Sequence, residues 1–367
     1  MSLTTTSQLE VYLASVGIDF TSVEQLPGGT GNFVWRLTLP SGEARIVKHA
    51  EPYVKANPSI PFSVDRMQFE ASALSLLPQT LTSTQLDPTA PSPTVRLPTL
   101  HHSDPDAHIL IMSDAGPHNL KAWYPTAAAS TTTIPRVGAA LGAWLAQLHR
   151  RTRSLARRSF DNAAARGIGR HAYANLAAAF ARHHGLDLDP AYARAVDDEF
   201  GARLQAEAEA ADGVCVCHGD FWPGNVLVRT GEEEDGPAAV VLSVVDWEMT
   251  RRGTGTTDVA QFAAEAYLLD RFCGGKGLLE AFLEGYVRAA REDGGVGGAA
   301  GKEAFVQRLV VHFGVHLAVW PSVVTWCGKE ETGELARFGK RCIEAGWDLN
   351  WAAVREGPLA PVLSLLE

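Results

Sequence analysis

One run of the sequence concentrates groups that handle protons, metal ions and phosphate: His218-Gly219-Asp220-Phe221-Trp222-Pro223-Gly224-Asn225, followed downstream by Asp246-Trp247-Glu248. The first run sets a carboxylate and an amide five residues apart in a tight loop between short strands. The second puts another carboxylate at the end of an apolar strand. Three oxygen-bearing side chains can then converge on one point, which suits Mg²⁺ and its preference for carboxylate and amide oxygens beside phosphate. A carboxylate outside the metal shell accepts a hydroxyl proton or orients the hydroxyl for attack. Upstream, Lys48 is the single ammonium in the apolar strand RIVKHA, and Glu70 on the following helix is placed to pair with it. Taken singly, each of these two is equally an ordinary solvated residue.

Several elements must position these groups. Residues 7–16 read as a short helix with Leu9, Val11 and Leu13 as apolar contacts; 33–39 and 44–50 read as strands joined by the turn at 40–42. A helix is expected over 62–77, an extended Pro-rich connection over 78–98, and a buried strand ending in a turn over 108–116. Beyond it the apolar period is mainly helical, with Val137, Leu141, Trp144, Leu145 and Leu148 on one face. Strands at 214–220, 225–230 and 238–248 interrupt the helical part. The acidic GEEEDG loop lies between the last two, and GGVGGAAG at 294–301 reads as a flexible loop.

The order HGDxxxxN then D-x-E resembles the aminoglycoside phosphotransferase and choline kinase superfamily, which shares the protein-kinase-like fold. The resemblance runs thinly from about residue 23 to 290. It implies that Asp220 is the catalytic base, that Asn225 and Asp246 hold Mg²⁺, and that Lys48, fixed by Glu70, grips the phosphates of ATP. The loop GGTGN takes the place of the phosphate-covering loop, so Gly29, Gly31 and Asn32 are expected at phosphate, although G-x-G-x-x-G is absent. IMSDAG fits the hinge between lobes, with Met112 and Ser113 contacting adenine through their backbones. His218 would orient the catalytic loop and Asp258 anchor it. Glu248 stays open between the metal shell and a supporting acceptor. Over 28–70 the sequence looks like methylthioribose kinases, whereas Pro223-Gly224-Asn225 follows the broader phosphotransferase pattern. Asp-Trp-Glu stands where protein kinases carry Asp-Phe-Gly and no Ala-Pro-Glu follows, which turns the reading from protein substrates towards a small molecule.

Composition bounds the rest. The 367 residues carry a formal charge of -10, which argues against general nucleic-acid binding. The five cysteines form no disulfide framework, and Cys215 and Cys217 read as alternate positions of a strand rather than half a zinc site. No apolar run is long enough for a membrane span and the N-terminus lacks a signal-peptide pattern, so a cytoplasmic protein is expected. An arginine-rich segment at 150–170 reads as a solvated surface or, alternatively, a site for an anion. Trp320, Trp326, Trp347 and Trp351, with His312 and His316, lie where the superfamily builds its acceptor pocket; core packing is the plainer reading.

These signals give an α+β, bilobal protein-kinase-like fold: a small β-rich N-lobe over 1–112 and a larger, mostly helical C-lobe over 113–367. The expected activity is ATP- and Mg²⁺-dependent phosphoryl transfer to a hydroxyl of a small molecule. The alternative is a nucleotide-binding pseudokinase or scaffold without transfer activity.

Overall fold

Alternating burial in Phe33–Thr38 (β2) sends Trp35 and Leu37 to one face of a sheet. The computed structural model describes residues 2–81, 93–156, 159–182, 190–206, 214–231, 239–292 and 299–367. Around β2 it builds a five-stranded antiparallel sheet from Ser22–Gln25 (β1), Ala44–His49 (β3), Leu100–Asp104 and Ile109–Ser113. Short strands Tyr53–Val54 (β4), Asn57–Pro61 (β5) and Thr94–Arg96 (β6) intervene in the chain, so these last two are β7 and β8, and the spatial order is β1-β2-β3-β8-β7. Val47 packs with Leu9, Leu13, Trp35, Ile109 and Ile111 on one side. The period of two then turns Lys48 to the other side, towards the helix Arg66–Thr80. That helix starts four residues later than expected: Phe62 donates its N–H to Pro52 O, and Ser63 and Asp65 bond each other in a turn. The first helix is Thr6–Ser15, with Leu9 and Leu13 buried but Val11 70% exposed, contrary to its assignment as a contact.

The C-terminal part is dominated by the helices Thr133–Arg151, Thr256–Phe272, Leu278–Glu292, Ala299–Val319 and Lys329–Trp347. Its core gathers Trp144, Phe221, Trp247, Phe262 and Phe282, the last two rings 4.3 Å apart. Thr133–Arg151 and Leu278–Glu292 approach so closely that a Cβ on Gly142 would lie 2.1 Å from Phe282 O; only glycine fits there. A second sheet joins His118–Asn119 (β9), Val226–Thr230 (β11) and Val240–Val244 (β12), with Cys215–Cys217 (β10) paired separately to Arg251–Gly253 (β13). Strand β6 adds to this second sheet, parallel to β12, although it comes from the stretch read as a connection. Residues 82–92 of that stretch lie outside the described residues, as do most of the acidic loop and of 294–301; residues 299–301 open a helix rather than ending a loop. Among the described residues no helix is long and apolar enough to cross a membrane.

The two parts together form a bilobal α+β fold, sheet-rich at the N-terminal end and helical beyond, with the segments of the sequence motifs meeting between them.

Candidate active site

The loop after β10 turns on Gly219, at φ +88°, where a Cβ would lie 2.1 Å from Met249 O. Two consecutive backbone N–H groups, of His218 and Gly219, donate to the buried Asp258 carboxylate at 2.7 and 3.0 Å. Burial works against the charge on Asp258, but His149, Arg251 and His218 hold its pKa below the ordinary value. The fully buried His218 is kept neutral by desolvation. Its partners fix the tautomer: Nδ1 accepts from Asp220 N at 3.2 Å, so Nε2 carries the proton and donates to Val245 O at 2.9 Å. Both residues therefore shape the loop from beneath, as the sequence indicated.

On this frame the Asp220 carboxylate receives Gln261 Nε2 on Oδ1 at 2.7 Å and Asn225 Nδ2 on Oδ2 at 3.0 Å. Burial, with the neighbouring charge of Asp246, pushes its pKa up against the pull of Gln261. The Asn225 amide also donates to Asp220 O at 2.9 Å. No described group donates to Asn225 Oδ1, which leaves that oxygen open to a cation. Asp246 adopts a left-handed backbone at φ 66° where β12 gives way to a 3₁₀ turn, a conformation that Asp tolerates better than most residues.

Lys48 joins the two lobes. Its ammonium donates to Glu70 at 2.8 and 3.1 Å and to Asp246 Oδ1 at 2.6 Å. Burial disfavours its charge, yet Asp246, Glu70 and Glu248 together hold its pKa above the ordinary value. Asp246 in turn keeps its charge despite burial because Lys48 is so close. Glu70 takes a further bond from Trp247 N at 3.3 Å, tying the helix Arg66–Thr80 to the Asp-Trp-Glu turn.

Glu248 belongs to a second cluster. Asn32 Nδ2 donates to its Oε2 at 2.7 Å, and Arg66 Nε lies 3.2 Å from that oxygen while donating to Asn32 Oδ1 at 3.0 Å. Arg66 also donates to the carbonyls of Gly31, Glu51, Phe62 and Ser63. The Asn32 side chain is thus committed to Glu248 and Arg66, whereas Gly29 and Gly31 form the turn beside it, Gly29 at φ +70°. Met112 and Ser113 stand apart: both pair within the sheet between β3 and β7, Met112 is buried, and Ser113 gives its N–H to Thr99 O at 2.9 Å.

Beside Asp220 opens a cavity of about 750 Å³. Phe62 of the N-terminal part, Ile168 and Arg170 of the helix Ala163–Ala174, and Arg251, His312, His316 and Trp320 line it. Trp320 therefore does more than fill a core, whereas Trp347 and Trp351 pack among the C-terminal helices. Arg66, Gln261 and His149 escaped the sequence reading, and no local pattern marks them.

The arrangement gathers a buried ammonium, the carboxylates of Asp246 and Asp220 and the Asn225 amide, with a cavity beside Asp220. The profile of the phosphotransferase enzyme family matches residues 22–299. A 4-hydroxytryptamine kinase of Psilocybe cyanescens is 26% identical over 346 residues, covering 89% of this chain and 87% of the relative. A methylthioribose kinase of Citrobacter koseri is 32% identical over 114 residues, 29% of this chain and 26% of that protein. Among solved structures, a macrolide 2′-phosphotransferase of Brachybacterium faecium aligns over 91% of this chain and 96% of its own, with 17% identity and a TM-score of 0.47. The family match runs through every motif residue from Gly29 to Asp258, and the chain belongs to the phosphotransferase enzyme family.

Proposed function

We propose that the protein transfers the γ-phosphoryl group of ATP to a hydroxyl group of a small molecule, in a compartment that supplies ATP, taken here as the cytoplasm. The observation that carries this reading is the lysine bridge: one buried ammonium held between Glu70 of the sheet-rich part and Asp246 of the helical part, beside the Asp220–Asn225 pair. An ammonium fixed in this way neutralises phosphate oxygens, and positioning with charge neutralisation is most of what phosphoryl transfer asks of a protein.

The donor set fits Mg²⁺: Asn225 Oδ1 and the second oxygen of Asp246 are hard oxygen ligands without another described partner. When bound there, the ion would neutralise charge on the transferring phosphate. Asp220, oriented by Gln261 and Asn225, holds the acceptor hydroxyl and takes its proton. Lys48 holds the non-transferring phosphates, and the turn at Gly29 and Gly31 offers backbone N–H groups above them. Glu248 supports the loop through Asn32. Adenine is read by the backbone at the hinge around Met112 and Ser113, where the N–H of Ser113 is given to Thr99 O and that of Asp114 to Ala44 O.

The test is γ-labelled ATP with Mg²⁺, the purified chain and a panel of hydroxylated small molecules. Label in an acceptor, lost on Asp220→Asn, supports transfer. Nucleotide binding with no labelled acceptor in the panel would favour a nucleotide-binding scaffold instead.

A further inference from the structure

With Asp220 read as the group that receives the hydroxyl, the cavity beside it holds the rest of the acceptor, and its apolar lining bears on what that rest is. The N-terminal part contributes Val54, Ile60, Pro61 and Phe62, from the β4–β5 hairpin and the residue after it. A single isoleucine on a surface needs no account. Ile60, however, is 49% exposed while lining the same cavity as Asp220. The hairpin is also fastened in place. The N–H groups of Lys55 and Ala56 donate to Gly31 O at 3.3 Å and Thr30 O at 3.0 Å, and Phe62 N donates to Pro52 O at 3.1 Å. Arg66 Nη1 donates to Phe62 O at 2.8 Å. This apolar wall is thus tied to the glycine turn and held against water, at a cost that a covering apolar group would relieve.

A second, independent observation comes from the C-terminal part. The helix Ala163–Ala174 lines the cavity with Ala164, Gly167, Ile168 and Gly169, and Ile168 is 44% exposed. Its capping residue Asn162 accepts from Ala165 N at 3.0 Å and donates to the carbonyls of Glu248 and Thr250 at 3.3 and 3.2 Å. The helix is therefore fixed beside the Asp-Trp-Glu turn. Gly167 weakens it, since glycine inside a helix is unfavourable relative to almost any other residue. Packing does not demand that glycine: its φ is not left-handed, and a Cβ there would meet nothing within 4 Å among the described residues. What the missing side chain keeps open is the cavity itself.

We infer that the acceptor carries, besides its hydroxyl, an apolar ring or chain that lodges against Ile60 and Ile168 in the space left by Gly167, and that these three residues determine specificity. Asp220 receives the hydroxyl, and the two isoleucines, one from each part of the chain, select the apolar portion by burying it from water. This rests on the phosphotransferase reading of the same site. A cavity of about 750 Å³ is also of the size that encloses such a compound.

The test is a series that keeps the hydroxyl and lengthens only the apolar part: phenol, 4-ethylphenol and 4-butylphenol, titrated calorimetrically into the full chain with Mg²⁺ and a non-hydrolysable ATP analogue. Affinity is expected to rise at least about tenfold from phenol to 4-butylphenol, a difference of about 1.4 kcal/mol. Ile60→Asn and Ile168→Asn, at half-exposed positions, should each remove most of that rise and leave phenol within about twofold of its wild-type affinity. Gly167→Leu fills the space, and should weaken 4-butylphenol by at least about tenfold while the denaturation midpoint stays level or rises. Val11→Asn, an exposed apolar position on the first helix, is the control and should leave the whole series as in the wild type. A flat series, a rise that both isoleucine variants retain, an equal loss in Val11→Asn, undiminished binding by Gly167→Leu, or no binding by any of the three would overturn the inference. Phosphate transfer is followed separately, so a chain that binds the series in the expected pattern but labels none of it would count against transfer and leave the apolar contact standing.

Discussion

Replacing Arg66 with methionine removes the hub that joins the glycine turn, the helix Arg66–Thr80 and Glu248. The Arg66 side chain is 2% exposed and that of Glu248 10%, with Nε 3.2 Å from Oε2, so solvent screens the pair little. Breaking a buried pair by deleting one partner costs about 3–5 kcal/mol, because the remaining charge stays buried. Part of that cost is relieved by protonation: burial, with Asp246 beside it, already pushes the Glu248 carboxyl up to about 8. The expected loss for Arg66→Met is therefore near the lower figure, about 3 kcal/mol, with a further contribution from the carbonyls of Glu51 and Phe62, which lose their side-chain donor, whereas those of Gly31 and Ser63 keep a backbone N–H. Chemical denaturation of the wild type, Arg66→Met, Glu248→Gln and the double variant would measure it. The account expects Arg66→Met to cost less once Glu248 is already Gln, with a coupling of about 1 kcal/mol or more. Additive effects within about 0.5 kcal/mol would refute the view that the two side chains act as one unit.

Other outcomes follow from the same geometry. Glu70→Gln leaves Lys48 to Asp246 alone and draws the ammonium away from the phosphates; kcat/KM for ATP should fall by at least about 100-fold, roughly 2.7 kcal/mol, and an unchanged value would remove Glu70 from the account. His312 has a folded-state pKa of about 3, well below its unfolded value, so the unfolded chain binds the extra proton first. Stability is then unaffected above about pH 6.5 and falls as pH drops from there towards 3, by up to about 1.4 kcal/mol per pH unit from this group. His312→Gln should flatten that slope, as read by denaturant midpoints across the range; an unaltered slope would place the acid sensitivity elsewhere.

The sequence made much of the site legible because its parts lie in short runs with strong local chemistry. Asp220, Asn225 and Asp246 sit in two motifs, and Lys48 stands out as one ammonium in an apolar strand. Pairing of Lys48 with Glu70 followed from the order of strand and helix. What escaped depends on contacts that no local pattern encodes. Asn32 and Glu248 are 216 residues apart, and their bond depends on how the two parts of the chain close on each other. Gln261 reads as one more polar residue in an apolar-rich helix until the fold sets it against Asp220. Strand β6 was hidden by the prolines around it, because its pairing with β12 is supplied by a segment nearly 150 residues away, as the contact between Arg96 and Ser243 at a separation of 147 illustrates. Val11 shows the opposite failure: an apolar residue in an apolar-rich helix that faces solvent, since one-sided packing against the sheet takes Leu9, Tyr12 and Leu13.

The central claim is that Asp220 activates an acceptor hydroxyl while Lys48, Asn225 and Asp246 manage the phosphates. The most direct measurement is single-turnover transfer of labelled phosphate from Mg·ATP to an identified acceptor, wild type against Asp220→Asn, with nucleotide affinity followed in parallel. The account predicts a fall in the transfer rate of at least about 100-fold with nearly unchanged nucleotide affinity. Transfer at the wild-type rate by Asp220→Asn would contradict it.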